Sequence, residues 1–349
     1  MKSTFLLLYG AGMSDIFNKL LILRTPGIGS ARYNDLLRRF ETPAAVVDFL
    51  NVGLELRDSV MREMDSATRN NIYYVCDTDD LYPDMLRRVK NHPPVISVRG
   101  NRAALGAQMV SIVGTRHATA AGMGLVADIA QRFAENGVAV VSGMAIGTDT
   151  AAHRGALRAN GGAVTIAVLA GGVDYVWPTE NESLYHEILE RGAVISEMPV
   201  GFVPVATNFV MRNKLVAGLG EKLILGEADL KSGSMTTARF AIEMGREIWA
   251  IPSHPADLRA MGPNSLIRDG VARLCMGPDD FFGADKKSIK KSKKIDTENN
   301  LIDAMGTIPV SESVLAEIVK KSISEIKSEL VVLELQGFVR KVDGGYVRA

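Results

Sequence analysis

The chain of 349 residues has two cysteines, Cys76 and Cys275, 199 positions apart. So few thiols, so far apart, leave no disulfide framework and no cysteine-based zinc module. Both read as small buried hydrophobes. No apolar run approaches the roughly 18 residues a spanning helix needs. Residues 5–9, behind Lys2, are too short for the core of a signal peptide. Net charge is absent too, with 40 Lys+Arg against 40 Asp+Glu. That excludes a strongly basic chain that coats nucleic acid by bulk charge. There is no G-x-G-x-x-G, no G-x-x-x-x-G-K-[ST], no G-x-S-x-G and no His/Cys metal spacing. A standard dinucleotide fingerprint, a P-loop ATPase, a nucleophile elbow and a metal centre are thereby set aside, and neither metal nor cofactor is expected. What remains is ordinary globular composition, 47% hydrophobic and 23% charged. The length suits roughly two domains, or three if some are small. The expectation is a reduced, soluble, cytoplasmic protein without membrane contact.

Charge is distributed unevenly. Residues 1–69 carry 9 basic and 8 acidic side chains, residues 70–283 carry 19 and 22, and residues 284–349 carry 12 and 10. The stretch 284–296, ADKKSIKKSKKID, reads as a basic linker, either a solvated tether or a nonspecific phosphate contact. Residues 1–69 read as a helical domain of helix–hairpin–helix (SAM-like) kind. Ile16, Leu20, Leu21 and Leu23 share one helical face, and Leu36, Leu37 and Phe40 another. Between them Thr25-Pro26-Gly27-Ile28-Gly29-Ser30 breaks the first helix, and Ser30 is placed to cap the next. Such a hairpin either offers backbone N–H groups to a phosphate or serves as a packing module.

Residues 70–283 alternate apolar runs with helical stretches. Strands are expected at 110–113, 138–141, 165–169, 193–195, 223–225 and 248–251, with helices at 121–136, 149–160, 181–191, 209–218 and 234–245. Apolar strands without alternation are buried on both faces, which predicts an α/β fold: an extended Rossmann-like, mostly parallel sheet. Residues 297–349 predict a winged helix. Ser311 and Ser324 are the expected helix caps, Gly337 the stop, and a hairpin turns at Asp343-Gly344-Gly345.

In an open α/β sheet, ligands meet the carboxyl ends of the strands. Small-residue loops fall at those ends. Gly114, Thr115 and Arg116, with Thr119, open the first; the backbone turn and helix N-terminus can seat an anion there. Ser142 and Gly143 open the second, which runs to Asp149 and His153. Those two are either an acid–base couple or a capping bond plus a fixed imidazole. The third runs from Gly171 through Asp174 to Trp177 and Pro178, and the fourth is Ser196-Glu197-Met198-Pro199. On the following helix Phe209 offers a stacking face, Asn213 an amide, and Arg212 and Lys214 charge. The fifth, Lys231-Ser232-Gly233-Ser234, combines a cation, two hydroxyls and a new helix N-terminus.

This string of motifs resembles the DprA/Smf family, the DNA-processing proteins of natural transformation. The resemblance is carried by Ile112–Arg116, Ser142-Gly143-Met144-Ala145 with Gly147, Asp149, Ala152 and His153, Gly172 with Asp174 and Pro178, Ser196-Glu197, Phe209 with Arg212-Asn213, and Lys231–Ser234. Tyr82-Pro83, Pro93-Pro94-Val95 and Arg99-Gly100-Asn101 are similar to the family's entry into its sheet. The likeness spans essentially the whole chain. Lys214 stands where an arginine is usual, and Ile146 where an arginine is more common. The resemblance implies a non-enzymatic homodimer that binds single-stranded DNA and loads the RecA recombinase. It places Arg116 and 209–214 at the DNA rim, and the expected DNA contacts are Gly114, Thr115, Arg116, Ser142, Gly143, Phe209, Arg212, Asn213, Lys214, Lys231, Ser232, Gly233 and Ser234. Asp149, His153, Asp174 and Glu197 are expected to position the loops. The rival is an enzyme on a nucleotide, a phosphoribohydrolase of the lysine-decarboxylase-like type. Such enzymes follow a Gly-Gly-x-Gly-Thr signature with a catalytic glutamate, whereas here no glutamate follows Ser232–Arg239 until Glu243.

Overall fold

The apolar runs in the middle of the chain become the parallel strands of one nine-stranded sheet. A computed structural model describes residues 14–160, 164–282, 300–306, 309–342 and 344–348; residues 5–9 and the basic 284–296 stretch lie outside the described residues. Two compact units divide between Phe281 and Phe282, so the N-terminal helices belong to the same unit as the sheet.

Helix α1 (14–24) meets α2 (Ser30–Phe40) across a tight turn in which Gly27 takes φ +78°. The cap expected of Ser30 is not made. Gly29 is the extended N-cap, Ser30 is already helical, and no side chain bonds there. Helices α3 (Pro43–Leu50) and α4 (Leu54–Arg69) complete this part, with the Thr42 side chain accepting from the Ala45 N–H at the start of α3. Leu20, Leu21, Ile22, Tyr33, Val46 and Val60 form its core.

The sheet consists of β1 (Ile72–Cys76), β2 (Val95–Gly100), β3 (Gln108–Val113), β4 (Val138–Ser142), β5 (Thr165–Val168), β6 (Ala193–Ser196), β7 (Lys222–Leu225), β8 (Glu247–Ala250) and β9 (Arg273–Leu274). Their order is β1-β2-β6-β5-β4-β3-β7-β8-β9. Strands β3 to β9 run parallel; β2 pairs antiparallel with both β1 and β6. The six expected strands are all present. Three were not anticipated. Strand β1 is an edge with a mixed burial pattern and β9 is two residues long; β2 has a buried run, Val95–Val98, but follows Pro93-Pro94 and pairs antiparallel. Helices α5 (Asp84–Arg87), α6 (Ala120–Glu135), α7 (Thr148–Leu157), α8 (Glu182–Arg191), α9 (Ala206–Leu219), α10 (Gly233–Glu243) and α11 (Met261–Arg268) connect the strands, and α12 (Asp279–Phe282) follows β9. Along β5, Ile166 and Val168 enter one core and Ala167 the other, as burial on both faces requires. The chain leaves β3 towards β6, then returns to β7 on the other flank of β3. A crevice therefore opens at the carboxyl ends of β3 and β7.

The second unit holds α13 (Asn300–Asp303), α14 (Glu312–Val319), α15 (Ile323–Leu335) and the antiparallel wing β10 (Val339–Val342) with β11 (Gly345–Arg348). Leu315, Ile326, Leu330, Leu333, Val339 and Tyr346 close its core. Ser311 caps α14 as expected. The cap of α15 is Ser322 rather than Ser324. Ser322 and Glu325 form a reciprocal capping box, with the Ser322 N–H donating to Glu325 Oε2 at 2.8 Å and the Glu325 N–H to Ser322 Oγ at 3.3 Å. The S-x-x-E spacing sets that register.

Candidate functional site

A cleft of about 320 Å3 lies over the carboxyl ends of β3 and β4, between α9 and α10. It is lined by Gly114, Thr115, Arg116, Gly143, Phe209, Arg212, Asn213, Ser232, Gly233 and Ser234, ten of the thirteen expected contact residues.

Two interlocked loops build its floor. Gly147 takes φ +79°, and a Cβ there would stand 2.6 Å from the Thr115 and Arg116 carbonyl oxygens. Thr148 donates to the Thr115 carbonyl from its N–H at 3.2 Å and from its hydroxyl at 3.1 Å. The Arg116 backbone is thereby fixed while its side chain stays exposed. The guanidinium lies 5.2 Å from the centroid of Trp177, whose ring meets Phe209 edge-on at 4.6 Å. The result is a cation above the Trp177 ring, which Phe209 meets edge-on. Trp177 was part of a loop already noted in the sequence, but was not singled out. Its signal was position, at the end of the loop leaving β5.

Arg212 is only 7% exposed. Its Nη1 donates to the Gly143 carbonyl and, at 2.7 Å, to that of Val168; Nε donates to Asn213 Oδ1 at 3.3 Å. Gly143 has no side chain because a Cβ would meet the guanidinium at 2.4 Å. The Asp149 carboxylate accepts from the N–H groups of Gly143 at 3.1 Å and Ala145 at 3.3 Å. Asp149 is thus not an N-cap: Gly147 holds that position, and Asp149, inside the first turn of α7, reaches back to the loop. Burial pushes its carboxyl upward, opposed by the Arg212 charge and these amides. The same burial lowers Arg212. So Arg212, expected as a rim contact, is chiefly a strut beneath the cleft.

His153 takes a separate partner. It is fully buried, with Nδ1 2.8 Å from the Thr165 hydroxyl, which itself donates to the Val140 carbonyl at 2.7 Å. The hydroxyl must therefore accept from Nδ1–H, leaving Nε2 bare. Burial, reinforced by the Arg212 charge, drops its pKa to about 3. An Asp149–His153 acid–base couple is not formed.

Three expected contacts do not line the cleft. Ser142 is fully buried and donates to the Ile112 carbonyl at 2.6 Å. Lys214 lies two residues past Arg212 on α9, around the helix, and faces a second cleft of about 430 Å3 shared with Glu197, Met211 and Ile28. There burial pushes the Glu197 carboxyl up to about 7 against the pull of Lys214. Lys231 is exposed just outside the lining, its N–H donating to Asp229 Oδ1 at 2.9 Å. Asp174 Oδ1 accepts from the Gly201 N–H at 2.8 Å, stapling the loop after β5 to the approach of α9.

Among the helix N-termini at this end of the sheet, those of α10 and α6 differ in what they hold. At α10, Ser232 is the N-cap, its hydroxyl 2.8 Å from that of Ser234, and Gly233 is exposed in the cleft. At α6, the seat proposed for an anion beside Thr115 and Thr119 is already filled: the Glu227 carboxylate accepts from the Thr119 N–H at 2.7 Å and hydroxyl at 2.6 Å. Glu227 went unnoticed in the sequence, where nothing local links it to Thr119, 108 residues away. Among the described residues, no cluster of His, Cys, Asp and Glu suits a metal, and no helix is long and apolar enough to cross a membrane.

Comparison with known proteins gives a consistent likeness. The sequence profile for the family described as DNA recombination-mediator protein A matches residues 73–284, and that of the DprA winged helix domain matches 290–345. Protein Smf of Escherichia coli (strain K12) is 32% identical over 307 residues, 84% of this chain and 81% of that one. DNA processing protein DprA of Streptococcus pneumoniae is 37% identical over 201 residues, 58% of this chain and 70% of that one. The X-ray structure of the Streptococcus pneumoniae protein superposes with TM-score 0.67 and 28% identity, covering 76% of this chain and 96% of that one. A Helicobacter pylori DNA processing protein A structure, described for its single-stranded DNA binding mode, superposes with TM-score 0.55 and 29% identity, covering 60% and 93%.

Proposed function

The chain belongs to the DprA/Smf family of DNA-processing proteins, and on that premise we propose that it binds single-stranded DNA in the cleft between α9 and α10 as a non-catalytic step in natural transformation. The observation that carries this reading is the exposed Arg116 over the Trp177 ring, with Phe209 edge-on beside it, at the same cleft as the Ser232-capped N-terminus of α10. A single strand needs these two things: a stacking platform for bases and donors for phosphates. The ordered duplex stack offers no free base face to such a platform. Family membership further suggests a cytoplasmic homodimer that hands the strand to RecA; both partners are part of the proposal.

Nothing at the cleft favours the phosphoribohydrolase alternative. The acid of α10, Glu243, sits exposed at the last residue of the helix, an 11-residue length from Ser232 at its start. The acid that does line the cleft, Asp149, is committed to loop amides.

The test is fluorescence anisotropy with single-stranded and duplex oligonucleotides across a salt series, using the parent and Arg116→Ala. Preference for the single strand is expected. The variant should bind more weakly, and its log–log salt slope should shrink by about 0.7, one phosphate contact. Equal affinity of parent and variant would remove the cleft from the proposal.

A further inference from the structure

Open α/β sheets hold a phosphate in the crevice where strand order reverses, beneath the N-terminus of the first crossover helix. In this chain the crevice lies between β3 and β7, and the helix is α6. It is filled from within. Glu227, two residues past β7, is only 6% exposed. Its carboxylate takes the Thr119 N–H and hydroxyl, the donors a phosphate would use. A Cβ on Gly122 would stand 2.8 Å from the carboxyl carbon and 2.9 Å from Oε1, so α6 carries glycine where the carboxylate settles on its first turn. The backbone holds Glu227 there from both sides. The Thr115 N–H donates to the Glu227 carbonyl at 2.6 Å, and the Ala228 N–H to that of Arg259 at 2.6 Å.

We propose that Glu227 is an internal anion occupying the sheet's phosphate seat, a specificity determinant that denies the crevice to free phosphate and nucleoside monophosphates. Its oxygens satisfy the helix N-terminus with charge-assisted bonds and favourable dipole alignment. An incoming phosphate faces both like charge and a tethered competitor at high effective concentration. The α10 N-terminus holds no such carboxylate among the described residues; its own Ser232 hydroxyl caps it, accepting from the Met235 N–H at 3.4 Å.

The experiment melts the parent, Glu227→Ala and Glu227→Gln in chloride, then in formate, inorganic phosphate or adenosine monophosphate at matched ionic strength. Alanine empties the seat; glutamine keeps it filled without charge. At about 10 mM, formate and phosphate should raise the Tm of Glu227→Ala by about 3 °C more than that of the parent. Glu227→Gln should follow the parent. A response to adenosine monophosphate as well as phosphate would show the opened seat admits a nucleotide; a response to phosphate and formate alone would show it admits small anions only, and either supports the role of Glu227. A Glu227→Ala protein that gains nothing from any anion overturns it, and so does a Glu227→Gln protein that gains as much. A purely structural glutamate would give no anion-specific rescue. No oligonucleotide enters the measurement, so its failure is distinct from failure of the single-strand reading.

Discussion

Replacing Arg212 by alanine, beside the same change at Arg116, separates holding the cleft together from touching a ligand. Arg212 is buried, bonds two strand-end carbonyls and offsets the buried Asp149. Its loss leaves those carbonyls without their donor and Asp149 without a countercharge. Breaking one partner of a buried charge pair costs about 3–5 kcal/mol. In a unit of this size each kcal/mol moves Tm by roughly 2–4 °C, so a fall of about 10 °C is expected. Arg116 is exposed and touches a ring face, so its alanine variant should fold within about 0.5 kcal/mol of the parent. The assay is a thermal melt of each variant, with oligonucleotide anisotropy at a temperature where both are folded. Adding Asp149→Asn to Arg212→Ala should recover part of the lost stability, because the uncompensated carboxylate is gone. If Arg212→Ala melts within about 2 °C of the parent yet binding collapses, Arg212 is a ligand contact and the strut argument is wrong.

Trp177→Ala should weaken single-strand binding by about 1–3 kcal/mol while leaving the salt slope unchanged, since stacking releases no counterions; anisotropy across salt distinguishes it from Arg116→Ala. Glu197, pushed to about 7 from an ordinary 4.5, stabilises the fold fully below pH 4.5 and loses that contribution as pH rises through 7. Glu197→Gln should therefore gain about 1–2 kcal/mol relative to the parent between pH 5 and pH 8, read from melts at both values. His153 has the opposite sign: its folded pKa near 3 lies below the ordinary 6.5, so its cost is absent above pH 6.5 and grows as pH falls, and His153→Asn should flatten the acid limb of a stability–pH curve. Ser322→Ala should speed amide exchange in α15 by the equivalent of about 1 kcal/mol, whereas Ser324→Ala should not.

How legible all this was depended on how local the information is. Runs such as 110–113 and 165–169 announce a two-faced core, because each strand carries the pattern by itself. Edge and antiparallel strands take meaning from their neighbours, so β1 and β2 escaped. The strand ends locate these loops at one rim, yet a loop's address does not say which way a side chain turns. Ser142 and Gly143 are adjacent, but only Gly143 reaches the cleft; Arg212 and Lys214 are two apart and serve different clefts. Glu227 on Thr119 and Trp177 on Phe209 join residues distant in sequence, which spacing alone cannot register.

The neutral total charge also has a structural resolution. The sheet segment is acidic by sequence count, 19 basic against 22 acidic residues over 70–283, which by itself would repel a polyphosphate. Yet two acids at this end of the sheet are internally committed. Asp149 faces Arg212 and two amides, and Glu227 rests on the α6 N-terminus. Each is masked at short range by donors pointing at it, so its field beyond the loop is weak. Arg116 is exposed in the cleft lining and forms no ion pair among the described residues. The local field at the cleft should therefore be positive although the segment is not. Neutralising Arg116 should consequently cost more affinity than adding one distant surface acid, such as Gln131→Glu on the exposed side of α6. Equal losses from the two changes, measured by anisotropy at a fixed ionic strength near 0.15 M, would mean that overall charge governs binding and that the cleft has no field of its own.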